Sequence, residues 1–278
     1  MIKRTFSTLV LWAAVTGSLF FLGTLGGLLL ITLLAVVSQY ELYRLMQKAG
    51  YAAMPWLGCA AGTALLLLPY LLDRGGAGFA VGFTAGDFLV LGIIVAALGS
   101  LREPEERRMQ SFAGTVFGLA YIPYLLSYFI AVVLLPGETA SGLILAVWVV
   151  VVVKFTDVGA YLVGSLCGRH KLAPQLSPGK TWEGAIGGVL ISALLGALFV
   201  ALFRDHFPAG IGPLQGALLA LPLAILSIPS DLLESVFKRQ AKAKDSGKAI
   251  PGIGGAYDLS DSLILTAPLA YWLLSIFS

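Results

Sequence analysis

The chain predicts an all-α, polytopic integral membrane protein of about nine transmembrane helices with its N-terminus in the cytoplasm. Three observations predict it. Of 278 residues, 58% are hydrophobic and only 12% charged, whereas soluble domains carry about 25% charged residues. The mean hydropathy is +0.90, and apolar runs of the roughly 20 residues needed to cross a bilayer recur along the whole length. Lys and Arg also fall almost entirely on one side once alternate loops are assigned to opposite faces.

The predicted spans are 6–22, 24–42, 55–72, 78–99, 110–135, 142–166, 184–203, 214–237 and 259–277. The start, M-I-K-R before an apolar run, resembles a signal peptide, but no small-x-small cleavage site precedes a polar sequence, so a retained helix is expected. Residues 6–38 hold no charge and are too many for one crossing, so a tight helical hairpin around Gly23–Gly27 is expected. With nine spans, one side receives Lys3, Arg4, Arg44, Lys48, Arg102, Arg107, Arg108, Arg169, Lys171, Lys180, Lys238, Arg239, Lys242, Lys244 and Lys248. The other receives only Arg74 and Arg204, and Lys154 falls inside a span. This asymmetry follows the positive-inside rule and puts the N-terminus and the basic loops in the cytoplasm. Miscounting one central span would destroy it. Residues 1–140 read as an N-terminal group of scaffold helices, and 141–278 as a catalytic membrane region with cytoplasmic loops at 167–182 and 238–258.

Several function classes recede. Cys59 and Cys167 fit neither a metal spacing nor a disulfide framework, and His170 and His206 are too few for a histidine metal site. The loop 101–108, L-R-E-P-E-E-R-R, is self-neutralising and reads as a connector. No internal repeat is evident, which weakens an inverted-repeat transporter reading.

The chemistry concentrates between Ser230 and Asp261, which hold five of the 18 Lys and Arg and five of the 15 Asp and Glu. Asp231, Ser235 and Lys238 are spaced i, i+4, i+7 and share one helix face. Asp258 and Asp261, i and i+3, stand at the start of the last span, where carboxylates also suit a helix N-terminus. Between the acids lie Lys238, Arg239, Lys242 and Lys244. A bare cation run beside a membrane usually meets anionic lipid; here the flanking carboxylates would repel it. Mg²⁺ resolves the conflict, because it is held by one or two carboxylates plus substrate phosphates. The turn P-G-I-G-G at 251–255 offers amides for an anion, or simply a tight loop before a helix.

These residues resemble the signature of the phosphatidate cytidylyltransferases, or CDP-diacylglycerol synthases. That pattern runs Ser, two residues, Lys-Arg, four residues, Lys-Asp, then a Gly-His-Gly-Gly turn and Asp-Arg-x-Asp. Ser235, Lys238, Arg239, Lys244, Asp245, Gly252, Gly254, Gly255, Asp258 and Asp261 stand at matching positions. Ile253 replaces the usual His and Leu259 the usual Arg, and neither change removes a carboxylate. A second region, Thr156 to Gly184, is similar to the family's Asp-x-Gly-Ala-Tyr and Ser-Pro-x-Lys-Thr-x-Glu-Gly elements. The first 150 residues match only in hydropathy and in Y-E-L-Y-R-L at 40–45. Asp157 is a carboxylate in or near a span and so a functional candidate, with an i, i+3 pair to Lys154 as the structural alternative. Ser177, Lys180, Thr181 and Glu183 precede or open a helix, an arrangement that suits phosphate or a plain N-cap.

The resemblance implies CTP + phosphatidate → CDP-diacylglycerol + pyrophosphate, with Mg²⁺, at the cytoplasmic face of the inner membrane. It implies Asp231 and Asp258 as metal ligands, with Asp261 as a further ligand or a residue that orients one. It assigns Lys238, Arg239 and Lys244 to phosphates, with Ser235 and Asp245 orienting them, and Ser177, Lys180, Thr181, Glu183 and the glycines to the nucleotide. It also implies a homodimer and a monovalent ion such as K⁺ beside the Mg²⁺. The residues leave two alternatives open: a CTP-dependent polyprenol- or phytol-type lipid kinase, and a transporter of an anionic solute. Phosphatidate brings its own anionic nucleophile, and the cytoplasmic motifs contain no Cys–His or Ser–His pair to activate one. The reaction should therefore be sequential, without a cytidylyl-enzyme. Labelled pyrophosphate should not exchange into CTP when phosphatidate and CDP-diacylglycerol are rigorously absent; rapid exchange would rule out direct transfer.

Overall fold

The computed structural model describes residues 2–74, 82–135, 142–247, 249 and 254–277. Helix dominates, as it must in an apolar solvent where only a helix or a closed barrel satisfies every backbone amide. The helices are α1 (Ile2–Lys48), α2 (Pro55–Arg74), α3 (Ala85–Ser100), α4 (Glu105–Leu119), α5 (Leu125–Val133), α6 (Gly142–Cys167), α7 (Trp182–Leu202), α8 (Pro213–Gln240) and α9 (Ala256–Ser275). One π turn, Ala120–Tyr124, joins α4 to α5. It contains Pro123, whose missing N–H breaks the i→i−4 ladder. A two-stranded antiparallel hairpin, β1 (Lys171–Ala173) and β2 (Ser177–Thr181), precedes α7. The loop predicted at 167–182 is thus partly strand, a local departure from all-α. Its Lys171↔Thr181 and Ala173↔Ser177 pairs satisfy amides that an open loop would leave to water.

Six helical stretches among the described residues are long and apolar enough to cross a membrane: Phe20–Lys48, Pro55–Leu72, Glu105–Val133, Gly142–Cys167, Trp182–Leu202 and Pro213–Gln240. The difference from about nine has local causes. The predicted first two spans both lie within the 47 residues of α1, as two helical segments that meet at a non-helical Gly23 (φ 53°, ψ −128°), a conformation glycine adopts without a Cβ clash. The chain doubles back there as the predicted hairpin requires, since a Cβ on Gly26 would run into the Ser18 carbonyl, which a continuous helix would hold about 12 Å away. Only the part from Phe20 onward counts among the six. The predicted span 78–99 becomes the 16-residue α3, with residues 75–81 outside the described set. The predicted last span becomes α9, which carries Asp258 and Asp261 within its 20 residues.

The chain divides into two compact units. The first comprises 1–130 and 237–260, the second 131–236 and 261–278. Both α8 and α9 contribute residues to each unit. In the first unit α1 is pinned by buried polar side chains. Tyr43 donates from its hydroxyl to the Thr115 carbonyl at 2.8 Å, and Gln39 donates to the Tyr43 hydroxyl and the Gly58 carbonyl, each at 3.0 Å. Phe237 meets Phe117 and Tyr121 edge to face, with centroids 5.7 and 5.8 Å apart.

In the second unit α6 and α7 run antiparallel at close range. Gly159 faces Gly188, Ser192 donates to the Val152 carbonyl at 2.6 Å, and the Trp148 indole donates to the Gly196 carbonyl at 3.1 Å. Small residues at such an interface let backbones approach, the usual device for packing helices where lipid removes the hydrophobic drive. A Cβ at Gly188 would run into the Thr156 carbonyl oxygen and the Ala160 amide nitrogen, neither of which can rotate away. Gly188→Val should therefore cost about 1–3 kcal/mol through overpacking. A lowered unfolding midpoint of the solubilised protein would register it.

Candidate active site

In the first unit α8 ends on Lys238 and α9 opens with Asp258 in its first turn. The Lys238 Nζ donates to Asp258 Oδ1 at 3.0 Å, and both side chains are only 18% exposed. The Ser246 amide donates to the two Asp258 oxygens at 3.4 and 3.2 Å, and the Gly255 amide donates to Oδ2 at 2.8 Å. Asp258 thus receives a cation and two backbone amides, one from each side of the intervening segment. Gly254 adopts φ +131°, and a Cβ there would stand 2.8 Å from Asp258 Oδ2, so this position requires glycine. Gly252, Ile253 and Lys248 lie outside the described residues. Arg239, Lys244 and Asp245 are solvent-exposed.

The second unit gathers a larger polar group. One carboxylate oxygen from each of Asp231, Glu234 and Asp261 lies within 4.8 Å of the others. Asp231 and Glu234 are i and i+3 on α8, and Ser235 follows at i+4 on the same helix. Glu234 and Asp261 are buried, and Asp231 is half-buried. Two lysines face these acids. Lys180 on β2 pairs with Asp231, the side chains being 25% and 22% exposed. Lys154 on α6 lies 3.2 Å from Asp261 Oδ1 and 2.7 Å from Ser262 Oγ. Ser262 Oγ in turn stands 3.2 Å from Asp157 Oδ2 and 3.0 Å from Asp261 Oδ1. The Ser230 hydroxyl donates to the Asp261 carbonyl, which ties α8 to α9 within this unit.

The candidate residues therefore sort themselves. Asp231 and Asp261 come together, and Glu234 joins them; Asp258 is engaged by Lys238 and loop amides. Lys180 reaches an acid rather than open solvent. Thr181 caps α7, accepting from the Gly184 amide at 3.1 Å, as its N-cap alternative anticipated. Glu183 accepts from the Arg169 amide at 3.1 Å and from the His170 amide and ring, the latter at 2.5 Å, closing the hairpin base. Ser177 begins β2 and is half-buried. Lys154 and Asp157 meet through Ser262. Sequence reasoning missed Glu234 and Ser262; the i, i+3 spacing of Glu234 from Asp231 was the available signal for the first, and Ser262, next to Asp261, had none.

Three carboxylates at this separation are a hard-oxygen donor set of the kind that holds Mg²⁺. Counted as ionised, Asp157, Asp231, Glu234 and Asp261 against Lys154 and Lys180 leave two negative charges, the charge one divalent cation balances.

A model of the cytidylyltransferase family matches residues 2–277. The phosphatidate cytidylyltransferase of Bacillus subtilis (strain 168) is 31% identical over 277 residues, covering 99% of this chain and 98% of the relative. That of Mycobacterium leprae (strain TN) is 31% identical over 250 residues, 86% of this chain and 77% of the relative. That of Brucella suis biovar 1 (strain 1330) is 38% identical over 193 residues, 69% and 68% of the two chains.

Asp258→Asn tests the grip on the segment ends. An amide has one acceptor oxygen and one donor nitrogen, so it cannot receive Lys238 on one atom and Gly255 on the other. Tryptic cleavage after Lys242 and Lys244 should accelerate in this variant while the unfolding midpoint changes by only a few degrees. Unchanged cleavage would show that the carboxylate does not hold these ends.

Proposed function

We infer the activity from membership: the chain belongs to the cytidylyltransferase family, and it transfers the cytidylyl group of CTP to phosphatidate, giving CDP-diacylglycerol and pyrophosphate. The observation that carries this is the match along essentially the whole chain to a relative named phosphatidate cytidylyltransferase. It is an integral membrane protein and a CTP-dependent nucleotidyltransferase. The relatives favour neither the lipid-kinase nor the transporter reading.

Chemically, a phosphate oxygen of phosphatidate forms a bond to the α-phosphorus of CTP, and the bond from that phosphorus to the bridging oxygen of the β-phosphate breaks. The electron pair leaves with pyrophosphate. The nucleophile is already an anion, so no protein base has to take a proton. The protein's task is to position two anions that repel each other and to offset developing charge. We assign Lys238, Arg239 and Lys244 to phosphate oxygens, with Asp258 orienting Lys238, and Ser235 and Asp245 in supporting hydrogen bonds. Lys180 is assigned to a phosphate of the nucleotide, with Asp231 holding it in position beforehand. Asp231, Glu234 and Asp261 would hold Mg²⁺, which when bound neutralises phosphate charge. The one-sided distribution of Lys and Arg supports a cytoplasmic N-terminus and an active face on the cytoplasmic side of the inner membrane. A homodimer is proposed from the family resemblance alone.

The direct test is incubation of purified protein with α-labelled CTP, phosphatidate and Mg²⁺. Labelled CDP-diacylglycerol with release of pyrophosphate is expected. Transfer of label from γ-labelled CTP to lipid, with release of CDP, would overturn the assignment. Glu234→Gln tests the cation site. The Mg²⁺ concentration for half-maximal activity should rise at least about tenfold, since altering even the partners of a metal's ligands costs about 10–100-fold. An unchanged Mg²⁺ dependence would remove Glu234 from the site.

A further inference from the structure

A second carboxylate grips the same segment ends as Asp258, and the reaction as derived makes no use of it. Glu41 lies on α1 in the first unit and is 6% exposed. Its Oε2 accepts from the Tyr257 amide at 2.9 Å and from the Ser246 hydroxyl at 3.1 Å. Asp258 accepts from the amides of Ser246 and Gly255. Ser246, on the incoming side of the segment, therefore donates its hydroxyl to Glu41 and its amide to Asp258. On the outgoing side, Tyr257 donates to Glu41 and Gly255 to Asp258. Two acids clasp the same two strands of chain, one of them reaching in from a helix more than 200 residues earlier in the sequence.

The glycines agree with this geometry. A Cβ on Gly247 would enter the space of the Glu41 carboxylate, and one on Gly255 would meet both the Glu41 carboxylate and the Ser246 hydroxyl. The chain is glycine at these two positions because the carboxylate fills the room a side chain would need. A buried carboxylate is costly and is tolerated only with good partners. Here the partners are the backbone and side chain that flank Asp258, the group that holds Lys238.

We propose that Glu41 is a positioning residue for cytidylyl transfer: by clasping Ser246 and Tyr257 it fixes Asp258, and through Asp258 the phosphate-holding ammonium of Lys238. This rests on the function inferred above. Misplacement of a reacting group by about 1 Å costs on the order of 100-fold in rate, so loosening the clasp acts on turnover more than on lipid binding.

The test uses the full-length protein in detergent micelles, with Glu41→Ala, Glu41→Gln and Gly247→Ala. Hydrogen exchange of peptides covering 254–257 is read without substrate, and kcat and KM are read per folded protein. Glu41→Ala should speed exchange there about tenfold or more, as loss of a hydrogen bond to a charged group implies, and lower kcat at least about tenfold while KM for phosphatidate stays within about threefold. Glu41→Gln keeps an acceptor oxygen for both donors and should stay within about threefold of wild type in both readouts. Gly247→Ala leaves the charge in place, fills its space, and should reproduce the faster exchange; it also serves if Glu41→Ala does not fold. Wild-type exchange in Glu41→Ala and Gly247→Ala, faster exchange with wild-type kcat, or Glu41→Gln as damaging as Glu41→Ala would each overturn the proposal. Failure of the function itself shows differently: the wild-type protein would form no CDP-diacylglycerol, while the exchange arm would still report on the clasp.

Discussion

A carboxylate kept beside apolar helices has to be met by a cation or by several hydrogen-bond donors, because unpaired charge there costs several kcal/mol. This requirement organises each unit. In the first, Asp258 receives Lys238 and two amides, and Glu41 receives an amide and a hydroxyl. In the second, Asp231 receives Lys180, and Asp261 receives Lys154. Each pair joins residues far apart in sequence, so meeting the electrostatic requirement also fastens helices to one another. The small residues between α6 and α7 serve the same end, since Lys154 on α6 and Lys180 just before α7 belong to one group of acids and bases only because those helices lie close.

Much of the site was legible locally. The i, i+4, i+7 face of Asp231, Ser235 and Lys238 is realised on α8, and Asp258 does open a helix. Thr181 does cap α7, as S-P-G-K-T-W-E implied. These follow from helical period and capping chemistry, which act over one or two turns. The partnerships were not legible, because they span 20 to 216 residues: Lys238 with Asp258, Lys154 with Asp261, and Glu41 with Tyr257. Glu41 stood in a short element that matched the family, but nothing in its neighbours revealed that it reaches the segment near Asp258.

The membrane helices show the same split. Hydropathy located apolar stretches well, and an uncharged run too long for one crossing pointed to a turn inside residues 6–38. Gly23 and its neighbours read as a hairpin, and the chain does double back there, with Gly26 against the Ser18 backbone. The loop before α7 read as irregular because hydropathy carries no signal for a hairpin of three and five residues. Its position was nonetheless informative, since it carries Lys180 to Asp231.

The resting charge balance connects the phosphate-holding and cation-holding assignments in the second unit. Lys180 and Lys154 each already face a carboxylate. A phosphate that draws either lysine away takes cover from an acid, and the anion it brings adds to the repulsion. With four carboxylates against two lysines, that exchange is costly unless a divalent cation takes over the acids as the lysines turn to phosphate. Sites for lysine-held phosphate and for carboxylate-held cation are therefore a single electrostatic requirement. On the proposed assignment, Lys154 and Lys180 are each held against a carboxylate whose charge the cation would cover.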